Sequence, residues 1–147
     1  MSEHKLAEYI DGFHLESYYS GVIMAFSEVV GAGCKKLALS NPFNDKMAHK
    51  MLLITELAAE EYGVKTLLEP DLIDTKLFPS GIAKDKTVII IAQNQDVLNE
   101  YMELRKMKKN SDLAGNPEDL EKLIAKRFGQ LLSYSDKKID QLMKVKY

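Results

Sequence analysis

The polarity pattern is sharpest from Lys86 to Asp96 (KTVIIIAQNQD), where a continuous apolar run stops at three carboxamides and a carboxylate. A strand apolar at every position reads as covered on both faces, the pattern of a parallel sheet between layers of helices. A helical pattern from Val97 to Lys109 follows it. Two shorter strand-like segments precede it, KKLALSN from Lys35 to Asn41 and VKTLLE from Val64 to Glu69. Each comes after a helical pattern that closes at glycine, Gly31-Ala-Gly33 in the first case and Gly63 in the second, glycine being favoured where a helix ends in a left-handed conformation.

The helical patterns run from Phe13 to Val30, from an N-cap at Asn44 or Asp45 to about Tyr62, and from Asn116-Pro117 along the stripe Leu120, Leu123, Ile124, Phe128, Leu131 and Leu132. Ser135 can cap a last short helix carrying Ile139, Leu142 and Met143. Residues 1–12 read as a short helix or a frayed, disordered lead-in, 70–85 as an irregular connection with at most one helical turn at Asp71–Lys76, and 110–116 as a mobile loop. Helices alternating with strands predict one small three-layer α/β/α domain, Rossmann-like, with a short, mostly parallel sheet joined by right-handed crossovers and with extra C-terminal helices.

In such a sheet ligands sit beyond the carboxyl ends of the strands. Parallel strands would bring together Ser40, Asn41, Glu69, Gln93 and Asn94, with Asn44, Asp45, Gln95 and Asp96 at the adjoining helix starts. Side-chain amides both donate and accept, which suits a ligand rich in hydroxyl, amide or heterocyclic groups. Helix amino termini add unpaired N–H groups that favour an anion. The predicted ligand-binding set is therefore Ser40, Asn41, Asn44, Gln93, Asn94 and Gln95. The same residue types are favoured in turns and caps, the structural alternative for each. An enzyme working in this cleft would take Glu69 or Asp45 as general base, with Asn41 and Asn94 orienting the substrate.

Other chemistry is thinner. Gly31-Ala-Gly33 precedes its strand and lacks a third glycine, so it is not a dinucleotide fingerprint, and neither a Walker loop nor a nucleophile elbow is present. Cys34, the single cysteine, excludes an internal disulfide and reads as a small structural side chain. His4, His14 and His49 have no zinc-site spacing, and the carboxylates Glu69 and Asp71 lack a third ligand, so no metal site is expected. His49 stands about a turn in from the strand-end edge. Arg105, Lys106, Lys108 and Lys109 are expected to complement the negative end of the helix that follows the third strand.

Composition narrows the partners. Across 147 residues, 46% hydrophobic and 29% charged content is ordinary for a soluble globular domain. A net charge of −2, with Arg105 and Arg127 the only arginines, argues against nucleic acid. No apolar run reaches the length of a membrane span, and the charged N-terminus is unlike a secretory signal, so the expected location is the cytoplasm. The apolar arcs of the helix from Phe13 to Val30 and of the helix ending at Tyr62 are wider than one sheet face needs. Association as a homodimer through the Phe13-to-Val30 helix is therefore expected, with cover by the C-terminal helices as the alternative. The expected function is a ligand-binding or regulatory domain holding a small polar metabolite or nucleotide-like molecule at the strand-end cleft. An enzyme using that cleft, or a structural subunit of an oligomer, are the alternatives. No cofactor or reaction is indicated.

Overall fold

The computed structural model of the protein describes residues 3–145. Among them the chain runs α1 (Glu3–Asp11), α2 (Leu15–Gly31), β1 (Leu37–Leu39), α3 (Asp45–Lys50), α4 (Leu52–Tyr62), β2 (Lys65–Glu69), β3 (Val88–Ala92), α5 (Gln95–Leu113), α6 (Glu118–Leu131) and α7 (Asp136–Lys144). The all-apolar segment becomes β3, buried at every position, and it is the centre of a three-stranded sheet in the order β1-β3-β2.

Both pairings are antiparallel. Leu37 faces Ala92 across β1 and β3, and Glu69 faces Val88 across β2 and β3. The expected mostly parallel, Rossmann-like three-layer α/β/α domain is therefore corrected: the protein is mostly helical, with one small antiparallel sheet. The physical reason lies in the segment 70–87. A parallel return needs a crossover, usually helical, that carries the chain back along the sheet. Residues 70–86 hold neither helix nor strand, so β3 starts from the edge at which β2 ends and runs back between its neighbours.

Side chains of β3 alternate between two apolar clusters, as the period of a strand dictates. Ile89 and Ile91, with Ala38, pack under Ile23 and Val30 of α2 and Ala58 of α4, together with Phe43 and Met51. Ile90 and Ala92, with Leu37, pack under Leu98, Tyr101 and Leu104 of α5, Ile124 and Phe128 of α6, and Ile139 of α7. Helices α2 and α4 cross closely at Gly31, where an added Cβ would collide with the backbone oxygen of Tyr62. No helix among the described residues is long and apolar enough to cross a membrane.

Two boundaries also differ from expectation. The helix expected to reach Tyr62 from its cap at Asn44 is split at Met51 into α3 and α4. The expected loop 110–116 is instead helical to Leu113. Its polar residues are held by α6: the Ser111 hydroxyl, fully buried, donates to Glu121 Oε2 at 3.0 Å, and Lys108 bridges Glu121 and Asp112.

Candidate functional site

The antiparallel sheet separates the residues expected to share a cleft. Ser40, Asn41 and Glu69 lie at the edge where β1 and β2 end and β3 begins. Gln93, Asn94 and Gln95 follow β3 at the opposite edge, where the Gln93 N–H donates to the Lys36 carbonyl at 2.9 Å. The amide-lined cleft is not assembled.

Most of these residues have a local role. Asn44 caps α3 and Asn94 caps α5, their side-chain oxygens accepting from the N–H groups of Met47 at 2.8 Å and Val97 at 3.0 Å. The Gln95 amide donates to Asn99 Oδ1 at 3.1 Å on the solvent side of α5. The Ser40 hydroxyl accepts from the Ile89 N–H at 2.8 Å and donates to the Asn41 carbonyl at 2.8 Å, extending the β1–β3 ladder by one residue. Asn41 is half-buried. Asp45 is exposed in the first turn of α3 and, with His49, Leu68, Pro70 and Thr87, borders an open depression of about 390 Å³.

Glu69 has 0% of its surface exposed, and its carboxylate is fully engaged. Oε2 accepts from the Tyr101 hydroxyl at 2.9 Å and lies 3.3 Å from Arg105 Nη1, while Oε1 accepts from the Asp71 N–H at 2.9 Å. Burial and the neighbouring carboxylate push the Tyr101 phenol far above its ordinary range. A carboxylate with no exposed surface and a partner on each oxygen favours a structural role over the expected base. It also moves Arg105 out of the expected dipole-complementing cluster. Because α5 continues to Leu113, residues 105–109 lie mid-helix, and Lys106 and Lys108 pair with Glu103 and with Asp112 and Glu121. Cys34, expected to be a small packed side chain, is exposed.

What the edge does contain is a pair of adjoining cavities under the segment 70–87, sharing Leu72, Ile82 and Ala83 in their walls. One, of about 280 Å³, has a mixed wall, with Asp71, Asp74, Lys84 and Asp85 among apolar residues. Asp74 Oδ2 there accepts from the Ser80 hydroxyl at 3.2 Å and the Gly81 N–H at 3.4 Å. The other, of about 220 Å³, is apolar: Phe26 of α2, Leu39, Pro42, Phe78, Val88 and Leu132 contribute to its wall.

Three polar side chains enter the apolar cavity, Lys35, Ser40 and Tyr134. The Lys35 ammonium donates to the Leu132 carbonyl at 2.6 Å and sits 4.9 Å from the centre of the Tyr134 ring. Among the described residues no carboxylate pairs with it. Burial lowers the Lys35 ammonium from its usual range and raises the Tyr134 phenol. The sequence pattern did not mark this site. Its residues come from α2, the residues before and at the end of β1, the 70–87 segment, the start of β3 and the stretch after α6, and only the Lys35-Lys36 doublet before an apolar strand offered a local signal.

No protein-family model matches the chain, and no curated protein or solved structure shows significant similarity to it.

Proposed function

We propose that the protein is a small-molecule-binding domain whose ligand sits beneath the segment 70–87, at the sheet edge where β1 and β2 end. The observation that carries this reading is the apolar cavity containing the half-buried ammonium of Lys35 without a carboxylate partner among the described residues. Protein interiors are close-packed, and an open apolar wall forfeits contacts. A partly desolvated cation carries a further penalty. A bound ligand that fills the space and meets the ammonium offsets both. Binding is favoured over turnover because Glu69 is enclosed and Asp45 borders neither cavity.

Screening by thermal shift against organic acids, nucleotides and sugars tests the reading. Ala83 belongs to the walls of both cavities, so Ala83→Leu, which adds volume there, should abolish the shift of any ligand found. A ligand that stabilises wild type and Ala83→Leu equally would place binding elsewhere and end the proposal.

A second reading, self-association, is favoured by the outer face of α2 and α4. Leu53 and Leu57, one turn apart on α4, are 66% and 53% exposed. Leu57 borders an open groove with Met24 of α2 and with Ile54, Ala58 and Tyr62. Helices α5–α7 pack on the other face of the sheet and leave this strip uncovered. A second copy of the chain laid across it would form a homodimer that includes the α2 helix. Light scattering should then give twice the chain mass for wild type and the single mass for Leu57→Glu; a wild-type monomer at high concentration discards this reading.

A further inference from the structure

We propose that the apolar cavity takes a monocarboxylate with a short acyl or aryl tail, its carboxylate on Lys35 Nζ and its tail against Phe26, Phe78, Val88 and Leu132. This rests on the small-molecule-binding reading and adds the chemical class of the ligand.

The ammonium selects the head group. Lys35 has three N–H donors, of which one reaches the Leu132 carbonyl; the remaining two have no protein acceptor among the described residues. A carboxylate accepts both and neutralises the charge, in a setting where apolar walls strengthen the attraction. A neutral ligand would leave the charge uncompensated. A phosphate is disfavoured because, among the described residues, Lys35 is the single cation in the wall and no arginine or helix amino terminus contributes to it.

The walls select the tail. Apart from Lys35, the polar groups have little to offer a second polar end: the Ser40 hydroxyl is already committed as both donor and acceptor within the sheet edge. The volume of about 220 Å³ falls below the roughly 300–1,000 Å³ typical of drug-sized ligands. It fits a short chain or one ring, not a long fatty acid.

A purely structural role competes with this assignment. Leu132 caps the carboxyl end of α6, and a lysine can serve only to satisfy the last carbonyls of a helix. Octanoate and 3-phenylpropionate, each compared with its neutral primary amide, separate the two roles when titrated by calorimetry into wild type, Lys35→Gln and Ala83→Leu. The proposal expects at least one acid to bind wild type at least tenfold more tightly than its amide. It expects Lys35→Gln to lose that preference and Ala83→Leu to lose binding altogether. Equal binding of acid and amide would show a tail pocket with Lys35 in a structural role, overturning the ligand class while leaving the binding function intact. If neither acid binds, but the wider screen yields another ligand sensitive to Ala83→Leu, the class is again overturned and the function stands. If no ligand is found by either route, both fall. Should Lys35→Gln fail to fold, the acid-to-amide ratio on wild type alone decides.

Discussion

The Tyr101 hydroxyl donates a 2.9 Å hydrogen bond to Oε2 of Glu69, a carboxylate with no exposed surface, and thereby ties the first half of α5 to the last residue of β2. Arg105, one turn further along α5, approaches the same oxygen at 3.3 Å and reaches Asp71 at 3.9 Å. The start of the segment that roofs the two cavities is therefore pinned by α5, whose apolar cluster also takes in Ile73 and Leu77 of that segment.

Removing the hydroxyl leaves that buried oxygen without its shortest partner. Tyr101→Phe is expected to destabilise the fold by about 1–3 kcal/mol, the penalty of an unsatisfied buried acceptor. Urea denaturation followed by circular dichroism would show this as a lower midpoint at unchanged slope. An unchanged midpoint would mean that Arg105 alone satisfies Glu69.

Two glycines of α2 should respond to alanine with opposite signs. At Gly31 a Cβ meets the Tyr62 backbone oxygen, so α2 and α4 must part, at a cost of about 1–3 kcal/mol. At Gly21 nothing lies within 4 Å, and the gain in helix propensity, at most about 1 kcal/mol, is unopposed. Thermal unfolding of Gly31→Ala and Gly21→Ala should bracket wild type from below and above; a Gly31→Ala no less stable than wild type would contradict the close crossing.

The turn between α5 and α6 should give an acid-dependent contribution. The Asn116 amide, at 2.6 Å, and then Lys108 hold the Asp112 carboxyl below its ordinary value. A depressed folded pKa stabilises the fold in full above the unfolded value of about 4 and loses that contribution as pH falls through the lower, folded value. Stability measured in urea from pH 6 down to pH 3 should fall less steeply in Asp112→Asn than in wild type. Parallel curves would show that the carboxylate is energetically idle.

Lys35 predicts a slope of the same sign in alkali. Its folded pKa lies below that of the unfolded chain because burial disfavours the charged form. Between the two values the unfolded chain binds more protons, so stability rises with pH and the gain is complete above about 10.4. Wild type should gain on Lys35→Gln between pH 8 and pH 10, whereas saturating carboxylate ligand should flatten that rise.

How far the sequence carries the reader depends on the range of the signal. Gly63 closes α4 with a φ of +67°, and Asn44, Asn94 and Ser135 cap their helices, all decided within a few residues. Strand direction is not local. An all-apolar strand reports cover on both faces, and β3 is covered equally well with its neighbours antiparallel, so the pattern misled about topology and then about every residue placed by it. The stretch from Asn110 to Asp112 looked like a loop because it is polar, yet burial of Ser111 against Glu121 holds it in α5. The candidate site was the least legible part: Lys35 and the carbonyl it meets on Leu132 are separated by 97 positions, and nothing near either residue encodes the other.

The strand order β1-β3-β2 has a consequence for self-association. The most amyloid-like segment of the chain, with four consecutive β-branched residues from Val88 to Ile91, occupies the one place in the sheet where neither backbone edge is free. Its guards are unequal. On one side β2 matches it residue for residue, with Lys65 at its start and Pro70 just past its end to discourage further strands. On the other side β1 covers three positions. Detachment of that short strand bares a ready template, so the aggregation resistance of the molecule is set by its smallest element.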